Sequence, residues 1–398
     1  MSDARLPERV RRLLRRAAGL SGLERVLVSV AAVVAALVIG GFVVLGSGYV
    51  ASCREPALYL FGTSFCFDPV EVYAAMYQGA FGTRLNQALT LQRTTLLVFT
   101  ALAFAIPYRA GLFNIGAQGQ FVLAALGTTV TLLWLGPLVP GGPLAAAVLV
   151  PAGLVAGALA GALYGLLPGV LKARYGTNEV ISTLLLNFIA TAVAIVLVKR
   201  FFNNPDIQGT VTRSIPEAAV LKPWLFPTGS RFSVAVLAGT LALVAGFWWL
   251  LNRTTLGYDI RVLGRQRAAA VFGGVDAART TVLSMTIAGA VAGLGGALYV
   301  MMVVGRWQTG IPALGFDGIA VSVLAGNNPA ALVPSGVLFG ALQSGGLAIN
   351  FQLGIPRDLV EVLRGLVILL VATPELFRIA GRYLRRRGRL RPAGGETG

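Results

Sequence analysis

Long uninterrupted apolar runs constrain the fold of this 398-residue chain more than any other feature. The run VLVSVAAVVAALVIGGFVVLG at residues 26–46 is long enough, as a helix, to cross a hydrocarbon core about 30 Å thick. Backbone polar groups in lipid need partners within the protein, and continuous runs that do not alternate meet this need as helices. With 56% hydrophobic and 12% charged residues, the sequence predicts an all-α polytopic membrane protein.

Ten transmembrane helices are predicted, in a transmembrane domain at 26–374 between a basic N-terminus at 1–25 and a basic tail at 375–398. The spans cover about residues 26–46, 88–107, 116–135, 143–168, 180–198, 232–252, 281–304, 316–330, 331–351 and 358–374. The third and eighth spans contain a glycine motif that interrupts the apolar run. For these two segments, 111–127 and 310–326, a full span and a re-entrant segment both stay open.

Basic residues indicate the orientation of the chain. With both termini in the cytoplasm, most of the 33 Lys and Arg residues fall on the inner side, as the positive-inside rule requires. The expected location is therefore the cytoplasmic membrane. The formal net charge of +17 then reflects topology and contact with the lipid bilayer, and no nucleic-acid partner is needed to explain it.

One glycine spacing occurs twice, in RAGLFNIGAQGQFVLAALG and in QTGIPALGFDGIAVSVLAG. The repeated positions are Gly111, Gly116, Gly119 and Gly127, and then Gly310, Gly315, Gly318 and Gly326. The first copy follows a span that runs inward, whereas the second follows a span that runs outward. Spans two to five and seven to ten are therefore predicted to form an inverted repeat, and transporters built in this way carry the substrate path at the repeat interface.

Polar side chains near these motifs are the candidates for such a path. They are Asn114, Gln118, Gln120, Asn187, Asp317 and Gln343. A polar residue at membrane depth is unfavourable unless it is paired or faces water, so each is a candidate site residue. The alternative is structural: amides cap broken half-helices and satisfy the backbone groups freed at the glycines. For each single residue both explanations stay open.

Histidine is absent from the whole chain, which excludes imidazole metal ligands, Ser-His-Asp catalysis and histidine proton relays. A GxxxxGK[ST] phosphate loop is absent too, so ATP hydrolysis by that route belongs to another polypeptide. We expect no enzyme activity, catalytic residue, metal or cofactor. Cys53 and Cys66 fall in an external segment, where a disulfide and two free thiols both stay open.

The cytoplasmic loop at 253–280 differs from the other loops. It alternates arginines with small residues, and residues 268–270 are predicted to form a short helix ended by Gly273 and Gly274. A solvated positive-inside loop explains the arginines but not the small residues. The pattern favours docking into a groove of a cytoplasmic partner.

Four strings, RAGLFNIGAQGQ, YGTNEVISTLLLNFIA, TLGYDIRVLGRQRAAAVFGGV and GFDGIAVSVLAGNNP, resemble the permease subunits of ABC importers for nucleosides and simple sugars. The resemblance covers roughly residues 88–374, within the wider group of ribose and branched-chain amino acid permeases. It implies a type II ABC importer fold. It also implies three partners: a second permease subunit in a heterodimer, a cytoplasmic ABC ATPase, and an external substrate-binding lipoprotein of the basic membrane protein type.

By the same resemblance, the 253–280 loop holds the coupling helix that transmits ATP-driven closure of the ATPase. The residues assigned to coupling are Arg261, Gly264, Arg265, Ala269, Ala270, Gly273 and Gly274. Gln118 departs from the family, which usually has Glu at this position. A neutral amide fits a neutral polar substrate.

The resemblance implies a permease that forms the translocation path for nucleosides, with pentoses or hexoses as the alternative in the same class. An ion-coupled secondary transporter is a more distant alternative, because it also has inverted repeats but needs an ion site. Asp317 is the main embedded carboxylate that such a site has available. A membrane enzyme is disfavoured by the absence of histidine and of paired carboxylates.

Overall fold

The computed structural model describes residues 22–53, 55–60, 62–356, 358–363, 365–366 and 369. Most of the predicted N-terminal segment 1–25, the predicted tail at 375–398 and much of the predicted span at 358–374 lie outside these residues. The chain divides into two compact units, one of residues 77–345 and a smaller one of residues 1–76 with 346–398.

The described elements are mostly helices. The α-helices are α1 (Gly22–Val50), α2 (Pro69–Tyr77), α3 (Arg84–Arg109), α4 (Ala117–Leu135), α5 (Pro143–Tyr175), α6 (Glu179–Leu197), α7 (Val234–Arg253), α8 (Thr255–Arg265), α9 (Arg267–Phe272), α10 (Ala277–Tyr299), α11 (Leu314–Leu324) and α12 (Pro329–Leu353). Two strands, β1 (Leu58–Leu60) and β2 (Thr63–Phe65), lie between α1 and α2. Short π-helical turns extend α6 over Val198–Phe202 and α10 over Val300–Val304.

The smaller unit contains a β-hairpin whose flanking residues are joined by a disulfide. β1 and β2 pair antiparallel, with Leu58 opposite Phe65. Cys53 and Cys66 form a disulfide with their Cα atoms 5.7 Å apart, which decides between the two alternatives left open by the sequence. This hairpin is the one departure from helix and loop among the elements of the smaller unit that the structure describes.

Seven helices of the described chain are long and apolar enough to cross a membrane, namely α3, α4, α5, α6, α7, α10 and α12. They match the predicted spans two to seven and nine. The helix at the predicted eighth span, 316–330, is different. α11 has 11 residues, about 16 Å at 1.5 Å per residue, which is about half of the hydrocarbon core. Of the two alternatives left open for 310–326, the structure excludes the full span, because the second glycine motif leads into a half-helix.

In the larger unit, the first helix of each predicted repeat packs against helices of the other repeat. α3, which opens the first repeat, packs against α11 and α12 of the second: Gly318 lies on Thr100, and Gly340 lies on Thr94. A side chain at either glycine would collide with α3, since a Cβ at Gly340 would come within 2.9 Å of the carbonyl oxygen of Thr90. The absence of side chains at these two points therefore lets the helices approach closely.

α10, which opens the second repeat, makes the reciprocal contacts with α4 and α5 of the first. Gly296 lies on the backbone of Phe121 in α4. Gly161 and Gly289 face each other across α5 and α10, and a Cβ on either would collide with the carbonyl oxygen of the other. This exchange is the packing expected of two repeats related by a two-fold axis, and it brings both glycine motifs into the middle of the unit.

Candidate functional site

The first glycine motif turns the chain back towards the middle of α3. α3 ends at Arg109, and Gly111 has a φ of +78°, a left-handed conformation that side chains rarely adopt. Asn114, which is 0% exposed, donates from Nδ2 to the carbonyl oxygen of Ala103 at 3.2 Å. Its Oδ1 accepts from the N–H of Gly116 at 3.0 Å. Asn114 thus fixes the non-helical segment against α3 just before α4 begins.

Asn187 of α6 caps the start of α4. The N-terminal N–H groups of a helix lack intrahelical partners, and Gly116 at the cap position has no side chain to offer. Asn187 Oδ1 accepts from the N–H of Gly119 at 2.8 Å, and its Nδ2 donates to the carbonyl oxygen of Ile115 at 3.0 Å. Both ends of this amide are therefore used in holding the first broken helix.

The second motif is approached by an extended segment at 305–313. It leaves α10 at Gly305, which has a φ of +74°. Trp307 anchors the segment, since its side chain is 2% exposed and its Nε1 donates to the carbonyl oxygen of Val122 in α4 at 3.3 Å. Its backbone N–H donates to Thr212 Oγ1 at 3.1 Å. Beyond this anchor, residues 309, 310, 312 and 313 are exposed.

Gln118 joins the two motifs. Its Nε2 donates to the carbonyl oxygen of Pro312 at 3.0 Å, and its Oε1 accepts from the N–H of Gly315 at 2.8 Å. Ala313, the cap residue of α11, has no side-chain hydrogen bond of its own. Gln118 therefore caps α11 from the first repeat, and a side chain at Gly315 would collide with the Gln118 backbone.

The contacts with α3 give the depth at which α4 and the half-helix α11 begin. Gly318, in the first turns of α11, lies on Thr100, near the middle of α3. At the other end of α11, the Arg109 guanidinium donates from Nε and Nη2 to the carbonyl oxygen of Asn327, at 3.0 and 2.9 Å. α4 and α11 thus both begin near the middle of a long membrane-spanning helix.

The predicted polar residues fall into two groups. Asn114 donates from Nδ2 to Gln120 Oε1 at 3.4 Å, so Gln120 joins the buried network that also holds Gln118 and Asn187. The second group is a half-buried pair in which Gln343 Nε2 donates to Asp317 Oδ2 at 2.9 Å. Gln118 and Asn187 make the contacts of the capping alternative, and Asn114 bonds the backbone just before α4. Gln120 instead contacts the Asn114 side chain. Asp317 and Gln343 keep accessible surface.

The predicted coupling residues lie on α8, on α9 and in the turn after α9. Arg265, Ala269, Gly273 and Gly274 are exposed, Arg261 is half-buried, and Ala270 is 1% exposed. The short helix expected at 268–270 is present as α9. Phe272 at its end is 97% exposed, an unusual position for a large apolar side chain.

Gly264 connects this surface to the first motif. A Cβ at Gly264 would collide with the carbonyl oxygen of Arg109, and Gly111 lies on the Gly264 backbone. Ile260 of α8 belongs to the same buried apolar cluster as Leu112 of the motif loop. α8 is therefore packed directly against the segment between α3 and α4.

Three residues of this region were missed by sequence reasoning. Trp307 and Arg109 act through backbone carbonyls that are distant in sequence, and no local pattern points to such contacts. Arg93 carried a readable signal, because it is a charged residue within the predicted span at 88–107. The structure places it inside α3, half-buried.

A family model described as "Branched-chain amino acid transport system / permease component" matches residues 87–372. The guanosine ABC transporter permease protein of Bacillus subtilis is 30% identical over 374 residues, which cover 92% of this chain and 98% of that protein. The nucleoside ABC transporter permease protein NupB of Lactococcus lactis is 29% identical over 364 residues, 89% of this chain and 93% of that protein. A glucose ABC transporter permease protein of Haloferax volcanii is 30% identical over 341 residues, 83% of this chain and 88% of that protein.

Proposed function

The chain belongs to the permease family of branched-chain amino acid transport systems, and we propose that it forms the membrane path of an ATP-driven ABC importer for nucleosides. It is a multi-pass membrane protein and a transport component, not an enzyme. An ABC transporter also contains an ATPase and a substrate-binding partner. The guanosine and nucleoside permeases that it resembles over most of their length support nucleosides as the substrate class. The glucose permease of similar identity supports simple sugars as the second candidate.

The observation that carries the proposal is the junction of two half-helices through Gln118. Irregular backbone at membrane depth is tolerated where it is buried in protein or lines a water-filled cavity. Trp307 anchors the buried side of the segment at 305–313, while Pro312 and Ala313 are exposed. We assign this exposed backbone to the wall of the substrate path.

Within the path, the accessible polar groups face the substrate and the buried amides position them. Asp317 and Gln343 provide a carboxylate and an amide with accessible surface, which suit the hydroxyl groups of a ribose. Gln118 holds the backbone beside them through Pro312 and Gly315. Asn114, Gln120 and Asn187, which are buried, shape the path through the start of α4. In this proposal the accessible residues are the path groups and the buried amides are the structural caps, the two roles that the sequence left open.

We assign each protein partner of the transporter to a different surface of the chain. The surface of α8 and α9 docks the cytoplasmic ATPase and moves the first motif through Gly264. The opposite face receives an external binding lipoprotein, and a second permease chain completes the path as a heterodimer. In this proposal both termini lie in the cytoplasm and the chain lies in the cytoplasmic membrane. The Cys53–Cys66 disulfide supports the external position of its loop, because disulfides persist in oxidising compartments.

Reconstitution tests the proposal. The chain is expressed with its candidate ATPase, second permease and binding protein, and uptake of labelled guanosine and glucose into proteoliposomes is followed with and without ATP. We expect guanosine uptake that requires both ATP and the binding protein. Glucose uptake without nucleoside uptake would move the assignment to sugars, and uptake by this chain alone without ATP would reveal a secondary transporter.

A further inference from the structure

Arg93 is a charged residue inside a membrane-spanning helix. It lies in α3, within the stretch that opens the first repeat. Its neighbours along the chain are both tied to the second repeat: Gln92 Nε2 donates to the carbonyl oxygen of Met302 at 2.8 Å, and Thr94 Oγ1 donates to that of Gly336 at 3.3 Å. Within the part of the chain that the structure describes, no hydrogen bond or ion pair reaches the Arg93 guanidinium.

The surroundings of α3 favour water over lipid at this guanidinium. A charge at membrane depth is unfavourable unless it has water or a partner. α3 is enclosed by other helices, since 83% of its most apolar window is buried, against 22% for the corresponding windows of α6 and α7. α3 is therefore enclosed by protein over most of its surface, unlike α6 and α7.

Arg93 is the last accessible residue of α3 before a fully buried stretch. Leu97 and Thr100, which follow Arg93 on the same face of the helix, are both 0% exposed. The residues of α3 before Arg93 that keep accessible surface lie towards its N-terminal end, namely Arg84, Leu85, Asn86, Gln87, Leu89 and Leu91, whereas residues 94–107 are buried. A face turned to lipid would continue over the next turns, whereas this one closes. The accessible surface of α3 therefore reaches from its N-terminal end to Arg93 and stops there.

The position of Arg93 relates it to the accessible polar pair. Thr94, the next residue, packs on Gly340 of α12. Gln343 lies one turn further along α12 and donates to Asp317. Arg93 on α3 and Gln343 on α12 thus lie on adjoining turns of two helices in direct contact, and Gln343 connects to Asp317 on α11.

We propose that Arg93 lines the substrate path and binds the base of the nucleoside; this inference rests on the proposed function. Arginine offers five N–H donors and no acceptor, in a planar fork that also stacks on flat rings. It complements the carbonyl oxygen of guanine, hypoxanthine or uracil. Adenine has no carbonyl oxygen. Arg93 therefore selects carbonyl-bearing nucleosides, while the Asp317–Gln343 pair meets the sugar hydroxyls.

Uptake selectivity tests the assignment. ATP-driven uptake of guanosine and adenosine is compared in the assembled transporter for wild type, Arg93→Leu, Arg93→Lys and Arg84→Leu. The last variant is the matched control, because it removes the same charge from the exposed first residue of α3. Hydrogen bonds to charged groups contribute about 1.5–3 kcal/mol, so we expect Arg93→Leu to lower kcat/KM for guanosine roughly ten- to hundredfold.

Uptake of adenosine by the same variants distinguishes a loss of base selectivity from a general loss of transport. Its uptake should fall much less than that of guanosine in Arg93→Leu, and Arg93→Lys should lie between Arg93→Leu and wild type. Arg84→Leu should keep the ratio of guanosine to adenosine uptake at the wild-type value. An unchanged ratio in Arg93→Leu overturns the inference.

Thiol labelling tests the same assignment without transport. The chain has 2 cysteines, both in the disulfide, so Arg93→Cys introduces a single reactive thiol. A water-soluble cationic thiol reagent should label it in the folded transporter, and guanosine should slow the reaction. Leu97→Cys, at a position that is 0% exposed, should stay unlabelled. An unreactive Arg93→Cys, or one that guanosine does not protect, contradicts the inference. Absence of nucleoside uptake by wild type is a different result, because it rejects the proposed function itself.

Discussion

Gln118 Oε1 accepts a hydrogen bond from the backbone N–H of Gly315 over 2.8 Å, so a side chain of the first glycine motif caps the half-helix that begins at the second. The same amide donates to the Pro312 carbonyl at 3.0 Å. The two broken helices therefore share one support. A shift of either motif would therefore displace the other through the Gln118 hydrogen bonds.

Replacement of Gln118 with Met removes this shared cap while keeping the length of the side chain. The buried N–H of Gly315 then loses its partner, at a cost of about 1–3 kcal/mol, and the Pro312 carbonyl loses its donor. We expect the variant to reach the membrane but to lose most uptake and to melt at a lower temperature. Gln352→Met, the same change at an exposed residue near the end of α12, serves as the control. Normal uptake by Gln118→Met would contradict the shared support.

Asn187→Leu tests the cap of α4. Loss of an N-cap acceptor costs about 0.5–2 kcal/mol, and here the Ile115 carbonyl also loses its donor. Asn187→Asp keeps the acceptor for the Gly119 N–H and loses the donor, so its free energy of unfolding should lie between those of Asn187→Leu and wild type. Thermal melting of the purified chain measures this order. Equal stability of Asn187→Leu and wild type would exclude the capping role.

Gly264 and Gly273 both lie on the proposed ATPase surface, but only one of them touches the first motif. A Cβ at Gly264 would collide with the Arg109 carbonyl, whereas the nearest atom to a Cβ at Gly273 is the Ala269 carbonyl oxygen at 3.3 Å. We expect Gly264→Ala to lower the number of nucleosides taken up per ATP hydrolysed and Gly273→Ala to have little effect. The ratio of uptake to ATP hydrolysis in proteoliposomes measures both. The same ratio of uptake to ATP hydrolysis in both variants would show that the contact of Gly264 with the first motif is not needed for coupling.

Gly161 tests the exchanged packing of the repeats. Gly161→Ala forces α5 and α10 apart, because the new Cβ would collide with the Gly289 carbonyl, and overpacking of this kind costs about 1–3 kcal/mol. Gly239→Ala in α7 is the matched control, since no atom lies within 4 Å of the added Cβ. There the same substitution should be neutral or should stabilise the helix by up to about 1 kcal/mol. Similar melting temperatures for both variants would argue against close contact of α5 and α10.

Much of the architecture could be predicted from local pattern. Long apolar runs have few alternatives in lipid, so the membrane helices matched the predicted spans closely. Glycine and polar residues within such runs indicated where helices break, and both breaks lie at the predicted motifs. The length of α11 could not be predicted, because the sequence is apolar on both sides of its end. Val323 and Leu324 close α11, and the apolar residues after Asn328 begin α12. The turn there depends on the Arg109 contact, which is made by another helix.

The candidate site was predictable in its residues but not in their pairing. The sequence predicted the amides near the glycines to be caps or path groups. The partners of Gln118 and Asn187 could not be predicted, because they are distant in sequence and depend on the packing of helices from one repeat against the other. Trp307 gave no signal, because a tryptophan in an apolar protein is ordinary. Arg93 gave a clear signal, because it is a charged residue within a predicted membrane span. Its proposed role could be inferred only from the burial of the residues around it.

The most direct test of the half-helix path is the labelling of Ala313→Cys in sealed membranes that contain the assembled transporter. Ala313 is exposed, directly before α11 and beside the Gln118 contact at membrane depth. A path through this junction predicts that a membrane-impermeant thiol reagent labels the residue from the external side and that guanosine slows the reaction. Labelling only after denaturation, or labelling that transported guanosine leaves unchanged, would contradict the path.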